Sequence, residues 1–175
     1  FYFRLLFSAV LILALVVLQV SFVKILPSWP GEMNLFLVFL IFVLSLYGWK
    51  LLLLFAGGIG AVLDIYSFSP FGIFLVSMLA TGVLIHFLSY NFFTNRSLYS
   101  FWGLTLFATV FYEIFLRLLY YLSTSFFSRG EVFIGQEYFW ISLMKGVAMN
   151  LVAMLVLFYI FNFVSNRFRP VFIKG

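Results

Sequence analysis

Five ionisable side chains lie in apolar parts of this sequence, and they are the first residues to consider for chemistry. They are Asp64, His86, Glu113, Arg117 and Lys145. Asp64 is the only aspartate of the chain and His86 is the only histidine. A carboxylate or an imidazole in apolar surroundings could serve as a general acid or base, or as a metal ligand. Each of these roles needs a second group at a suitable spacing, so the surrounding sequence decides whether the role is possible.

The motifs around these residues do not complete the site of a membrane-embedded enzyme. An intramembrane aspartyl protease needs two carboxylates that share a proton, whereas this chain has one aspartate and no Gly-x-Gly-Asp motif. A rhomboid-like protease needs a serine beside a histidine base, but no Gly-x-Ser-Gly motif occurs. Glu113-x-x-x-Arg117 resembles the Glu-Glu-x-x-x-Arg of CAAX-type proteases, yet residue 112 is tyrosine and further histidine motifs are missing. Nothing near His86 supplies further metal ligands, so we expect no enzyme and no metal or cofactor.

The composition is that of a chain surrounded by lipid. Of its 175 residues, 66% are hydrophobic and only 9% are charged, whereas a soluble domain carries roughly 25% charged residues. Residues 65–95 and 146–166 contain no Asp, Glu, Lys or Arg, and runs of about 20 such residues are long enough to cross a bilayer as helices. No cysteine is present to act as a nucleophile or to form a disulfide. We predict an all-α integral membrane protein with a single polytopic domain over residues 1–175.

The apolar segments predict six transmembrane helices. Their expected ranges are 4–23, 34–48, 50–65, 71–91, 98–121 and 138–163. The first segment exceeds the apolar region of about 7–15 residues in a signal peptide and lacks a cleavage site, so we interpret it as an uncleaved span. The second and third segments are short. They predict either two short helices in a tight hairpin or a partly re-entrant pair.

The basic residues predict the orientation of these helices. With a cytoplasmic N-terminus, six basic residues fall on the cytoplasmic side and two on the opposite side: Arg4, Lys50, Arg96, Arg167, Arg169 and Lys174 against Lys24 and Arg129. This excess follows the positive-inside bias of short loops, and both termini are therefore expected in the cytoplasm. The net charge of +5 comes from scattered segment ends, so nucleic-acid binding is not expected.

Small residues and turn-formers indicate where helices approach one another and where the chain reverses. Small residues recur at four-residue spacing in the third and sixth spans; they are Ala56, Gly57, Gly60, Ala61, Ser142 and Gly146. Such residues let helix backbones approach closely in lipid, and two uses stay open: packing within this chain or docking of a partner's helix. The turn between the third and fourth spans is predicted at Ser67, Pro70 and Gly72. The segment 26–33, which is rich in turn-formers, predicts an external loop at headgroup depth.

Four of the ionisable residues, Asp64, Glu113, Arg117 and Lys145, fall within the outer halves of predicted spans. A charge at the bilayer centre costs about 2.5–3.5 kcal/mol even on a lenient scale, so such residues usually face inward and pair. We expect one charge-balanced cluster that joins the third, fifth and sixth spans, with Lys145 or Arg117 beside Asp64. The alternative for Asp64 is to accept backbone N–H groups from the turn or from the start of the fourth span. Structural pairing, a ligand or proton site, and a partner contact all stay open as roles for the cluster.

The stretch from residue 57 to residue 74, GGIGAVLDIYSFSPFGIF, resembles the centre of the rod shape-determining protein MreD family. The similar features are the close-spaced glycines, the aspartate after a leucine, the serine-containing turn and Pro-x-Gly. Further similarities along the chain are Asn34 before a short second span, Glu113 in the fifth span, and Glu137-x-x-Trp140 before the last span. The 27 phenylalanines, Arg117 and Lys145 have no counterpart in the family pattern.

The resemblance implies a non-enzymatic subunit of the bacterial cell-elongation machinery in the inner membrane. Its expected partner is an MreC-like bitopic membrane protein, with MreB, RodA and the elongation transpeptidase reached through the complex. The family fold is similar to the S components of energy-coupling factor transporters, so a vitamin-binding transporter subunit is the alternative. S components typically carry Ala-x-x-x-Ala in the first span, whereas Ala9 and Ala14 are five residues apart here. The loops also offer little for a vitamin beyond Trp29, Asn34 and Trp140.

Overall fold

A computed structural model describes residues 2–23, 29–67, 70–93, 97–126 and 137–167 of the chain. Every regular element in these ranges is helical. The six α-helices are α1 (Tyr2–Leu18), α2 (Leu35–Tyr47), α3 (Trp49–Tyr66), α4 (Ile73–Asn91), α5 (Leu98–Phe126) and α6 (Glu137–Arg167). A π-helical turn, Gln19–Val23, continues α1, and a 3-10 helix, Trp29–Glu32, precedes α2.

Four of these helices are long and apolar enough to cross a bilayer, which is the character of an α-helical membrane protein. The apolar stretches are Trp49–Tyr66, Ile73–Asn91, Leu98–Ser123 and Tyr138–Asn162. α2 is shorter at 13 residues, and the apolar stretch Val10–Ser21, which runs from α1 into the π-helical turn, is also short. Each predicted segment coincides with one helix, because continuous apolar sequence bounded by turn-formers determines both.

α2 is the centre of the bundle. None of its side chains from Leu35 to Ser45 is exposed, and the helix contacts α3, α4, α5 and α6. Phe39 meets Phe55 of α3 edge-on at 5.3 Å between ring centroids, and Phe42 stacks on Phe101 of α5 at 5.4 Å. A helix that is apolar on all sides is expected at such a position, because it presents no polar face to water or to lipid headgroups.

α2 and α3 form the tight hairpin that was one of the two predicted arrangements. A single residue, Gly48, separates the two helices and has a φ of 85°, a conformation that glycine adopts without steric cost. Its N–H donates to the carbonyl of Leu44 at 3.1 Å, which closes the end of α2. The contact of Phe39 with Phe55 confirms that the two helices run antiparallel from this turn.

The outer helices surround α2 in a chain of neighbours. α3 packs on α4, α4 on α5 and α5 on α6, while α1 packs on α3. Their outward faces carry large apolar side chains, among them Val10, Leu54, Val83 and Val156. These exposed faces need lipid or protein partners, because water does not solvate so much apolar surface cheaply.

Candidate functional site

The carboxylate of Asp64 caps the first turn of α4. Oδ1 accepts the backbone N–H of Phe74 at 2.9 Å, and Oδ2 accepts that of Leu75 at 3.0 Å. α4 begins after Gly72, which has no side chain to cap the helix, so its free N–H groups need an acceptor from elsewhere. The positive end of the α4 dipole also favours a negative charge there. This contact is the alternative that the sequence offered for Asp64, and it is confirmed.

The predicted pairing of Asp64 with Arg117 or Lys145 is wrong. Within the described residues, no ion pair joins Asp64 to either base, because its two oxygens are already satisfied by backbone donors. The Arg117 guanidinium instead lies 3.9 Å from the ring centroid of Phe139, so it links α5 to α6 by a cation–π contact. The Lys145 ammonium lies 6.0 Å from the ring centroid of Trp29. Glu113, half-buried, lies one turn before Arg117 on α5.

The small residues of α3 face α4 inside the bundle. A Cβ added at Gly60 would lie 2.5 Å from the Cα of Leu75, so the two backbones touch at this point. A Cβ at Gly57 would lie 3.7 Å from the side chain of Leu79. Ala56 is fully buried, and a Cβ at Gly82 of α4 would lie 3.4 Å from it. Packing within the chain is therefore what Ala56, Gly57 and Gly60 do; Ala61 is half-buried on the same helix.

The predicted turn residues lie between α3 and α4. The N–H of Ser67 donates to the carbonyl of Leu63 at 2.8 Å and ends α3. Gly72 has a φ of 105°, in the left-handed region, and its carbonyl accepts the N–H of Val76 at 2.9 Å. Pro70 is exposed in the turn. Together with Asp64 and Gly60, these residues form one corner, in which glycine permits both the close approach and the reversal.

A second polar site lies where the segment Trp29–Asn34 meets α6. Ser142 donates to Oε2 of Glu32 at 2.9 Å, and a Cβ at Gly146 would lie 3.2 Å from the carbonyl of Glu32. Both predicted small residues of α6 thus pack against this chain's own segment. The N–H of Asn34 donates to Oδ1 of Asn150 at 2.7 Å.

The described part of the predicted headgroup loop, residues 29–33, packs against the first part of α6, and its depth in a membrane stays a prediction. Asn150 is the central residue of the apolar stretch Tyr138–Asn162, so Asn34 reaches the middle of α6. Irregular backbone is tolerated at such depth only where protein groups satisfy it. The side chains that bond to this backbone at Met33 and Asn34 lie on the π-helical turn and on α6. Residues 26–28 of the predicted loop lie outside the described residues.

Gln19 satisfies the backbone on both sides of Asn34. Its Nε2 donates to the carbonyl of Met33 at 2.6 Å, and its Oε1 accepts the N–H of Leu35 at 2.9 Å. Gln19 is 3% exposed and belongs to the π-helical turn, a distortion that often occurs at functional positions. Gln19 was not among the predicted site residues, although it is the only amide side chain in the apolar run of residues 5–23.

The network continues from Asn150 into α5. Nδ2 of Asn150 donates to Oγ1 of Thr109 at 3.0 Å, and Thr109 donates to the carbonyl of Thr105 at 2.7 Å. Asn150 and Thr109 are both buried, so these bonds are shielded from competition by water. Oδ1 of Asn34 is buried without a well-formed hydrogen bond in the described part of the chain. The site thus binds α2, α5 and α6 together, and the Asn34 side chain lies beside the buried hydroxyl of Tyr112 on α5.

The groups of this polar site are joined by hydrogen bonds. The network around Asn34 and Asn150 consists of amides, hydroxyls and backbone groups, and the Ser142 hydroxyl beside it donates to the Glu32 carboxylate. Within the described ranges, no group of three or more His, Asp or Glu residues is placed to hold a metal ion. His86 stacks on Trp49, with 6.1 Å between ring centroids.

Comparison with protein-family models, with curated proteins and with solved structures finds no match for this chain. The class of protein that its own geometry defines is an α-helical membrane protein with buried polar contacts between its helices.

Proposed function

We propose that this chain is a non-enzymatic inner-membrane subunit of the bacterial cell-elongation machinery, similar to the MreD family. It crosses the membrane six times with both termini in the cytoplasm and binds an MreC-like bitopic protein. MreB, RodA and the elongation transpeptidase act with it through that complex, and the subunit thereby helps to regulate peptidoglycan synthesis and cell shape.

The observation that carries this proposal is the corner formed by Gly60, Asp64 and Gly72. These are residues on which the sequence resemblance rests, and they make one three-dimensional unit. Gly60 lets the helices touch, Asp64 caps α4, and Gly72 reverses the chain. A motif with a structural task of this kind suits a scaffold, whereas a catalytic motif would present its acid to a substrate.

Six crossings are supported by the additional segments that lengthen the two short helices, α1 and α2. α2 is about 20 Å long by its 13 residues, short of the roughly 30 Å hydrocarbon core. The segment Trp29–Asn34 supplies the missing depth, because Gln19 and Asn150 satisfy its backbone there. α1 with its π-helical turn runs from Tyr2 to Val23, which suffices for one crossing of about 30 Å.

The partner surface lies on the exposed helix faces in this proposal, since the glycines of α3 are used internally. Four exposed positions lie on the outward faces of four different helices: Leu13 of α1, Leu54 of α3, Val83 of α4 and Val156 of α6. A photo-crosslinking residue at each position, in turn, can identify the face without disturbing the buried network.

The test is co-purification in mild detergent of the tagged chain with the MreC-like protein of the same genome. We expect retention of that protein and crosslinks confined to one or two adjacent faces. An unrelated bitopic protein of similar length is the control. The proposal fails if the MreC-like protein is retained no better than the control while the chain remains folded.

One observation favours the alternative, an S-component-like vitamin-binding subunit. Oδ1 of Asn34 is buried without a well-formed partner in the described residues, and a bound polar ligand could satisfy it. The discriminating measurement is thermal unfolding of the purified chain with a panel of vitamins. A large stabilisation by one vitamin that is lost in Asn34→Leu, together with no MreC retention, would replace the scaffold proposal with this one.

A further inference from the structure

A cavity of about 380 Å3 opens at the end of the bundle where α2 turns into α3. Its lining includes the aromatic rings of Trp49 and Tyr90, the imidazole of His86, and the hydroxyls of Ser45, Ser89 and Ser100. Its volume falls in the range of about 300–1,000 Å3 that is typical of small-molecule sites. The lining therefore combines apolar walls with several groups that can donate hydrogen bonds.

Several of these donors are available to a ligand. In the part of the chain that the structure describes, the hydroxyls of Ser45 and Ser89 and the imidazole of His86 form no hydrogen bond to a protein group, and the His86 ring stacks on Trp49. Ser100 differs, since its hydroxyl meets that of Ser97 at 3.1 Å. A polar atom inside the cavity would thus find donors without displacing existing bonds of Ser45, Ser89 or His86.

An apolar groove adjoins this cavity on the outer surface. It has a volume of about 250 Å3 and is lined by Trp49, Leu53, Val83 and His86. Trp49 and His86 border both spaces, so a ligand with a polar end and an apolar tail could occupy the two at once. Val83 is 55% exposed, on a face of α4 that a membrane would cover with acyl chains.

The charges around the cavity are of one sign. Residues 33–63 and 65–112, which contain all of its lining, include no aspartate or glutamate. Lys50 directly follows Trp49 and is exposed at the start of α3. A lysine near the membrane surface attracts anionic lipid by about 1 kcal/mol, and no carboxylate in these ranges opposes it.

We propose that this end of the bundle binds one anionic phospholipid. Its phosphate lies in the cavity beside His86, at the end of the bundle where Lys50 is exposed, and one acyl chain lies in the groove against Leu53 and Val83. The lipid is drawn from the surrounding bilayer. This site is independent of the partner protein proposed above.

Native mass spectrometry of the delipidated protein tests the proposal. The probes are phosphatidylglycerol and phosphatidylcholine with identical acyl chains. We expect one phosphatidylglycerol to bind more tightly than phosphatidylcholine, and Lys50→Gln to weaken that binding about fivefold, the equivalent of one lysine contact. Ser45→Leu, which fills the cavity without changing charge, and Val83→Trp, which fills the groove, are each expected to abolish the preference.

Lys145→Gln is the matched control, because it removes the same charge near Trp29, before the start of α2, whereas the cavity lies where α2 ends. The Lys145→Gln variant is expected to bind phosphatidylglycerol as tightly as the parent protein does. If Lys50→Gln and Lys145→Gln weakened phosphatidylglycerol binding equally, the proposal would be overturned, because the lipid would then be attracted by the overall charge of the protein and not by this site. Equal binding of the two lipids would also overturn it. Displacement of the lipid by glycerol phosphate at similar concentration would assign the cavity to a free anion instead. Thermal unfolding of each variant shows that it is folded.

Discussion

The side chain of Asn150, at the middle of α6, accepts the backbone N–H of Asn34 at 2.7 Å, although 116 residues separate the two in sequence. The bond satisfies irregular backbone beside the centre of the apolar stretch of α6. Because Asn150 also donates to Thr109, one amide joins α2, α5 and α6. At the other polar site, the single carboxylate of Asp64 likewise makes two bonds, because both of its oxygens accept backbone N–H groups of α4.

Loss of the Asp64 cap is expected to destabilise the chain. Asp64→Ala leaves the N–H groups of Phe74 and Leu75 without acceptors in a buried position, and we expect a loss of about 3 kcal/mol. Asp64→Asn keeps one acceptor oxygen and should lose about half as much. Unfolding by SDS in mixed micelles measures both. Val76→Ala, at a 44% exposed position on α4, is the control. An equal loss in the alanine and asparagine variants would contradict the capping role.

The glycines of α3 should differ sharply in their tolerance of a methyl group. A Cβ at Gly60 meets the Cα of Leu75 at 2.5 Å, whereas a Cβ at Gly57 meets only the end of Leu79 at 3.7 Å. Gly60→Ala should therefore cost about 1–3 kcal/mol. Gly57→Ala should be neutral or gain up to about 1 kcal/mol from helix propensity. The same unfolding assay compares the pair, and a Gly60→Ala variant as stable as the parent would exclude backbone contact at this corner.

Asn150 and Thr109 should be energetically coupled. Asn150→Leu and Thr109→Val each remove one side of the bond between α6 and α5. In a double-mutant cycle, the interaction energy should be about 0.6 kcal/mol, the average for hydrogen bonds between membrane helices. Asn150→Leu alone should cost more than Thr109→Val, because it also leaves the N–H of Asn34 unbonded. If the two losses of unfolding free energy were strictly additive, the side chains of Asn150 and Thr109 would not be in contact.

Substitutions at Asp64 and Lys145 should have independent effects on the free energy of unfolding. The sequence suggested an ion pair between them, but Asp64 binds the start of α4 and Lys145 lies near Trp29. The double variant Asp64→Asn with Lys145→Met should therefore equal the sum of the single variants within about 0.5 kcal/mol. A coupling above about 1 kcal/mol would instead restore the charge cluster.

The sequence was enough to predict the positions of the helices. The ranges 71–91 and 98–121, for example, closely match α4 and the apolar part of α5. The bilayer thickness determines how long each apolar segment must be, and glycine, proline and polar residues mark where the segments end. Both features can be read directly from the sequence. The turn at Gly72 was predictable for the same local reason.

The partners of the buried polar groups came only from the tertiary structure. Hydropathy shows that Asp64 needs a partner, but it does not distinguish a base on another helix from a backbone N–H ten residues away. Lone amides such as Gln19 and Asn150 were the available signal, and their partners depend on which helix faces meet. In lipid, packing contacts and hydrogen bonds decide those faces. The apolar pattern therefore determined which segments are helices, and the three-dimensional packing decided what each polar side chain binds.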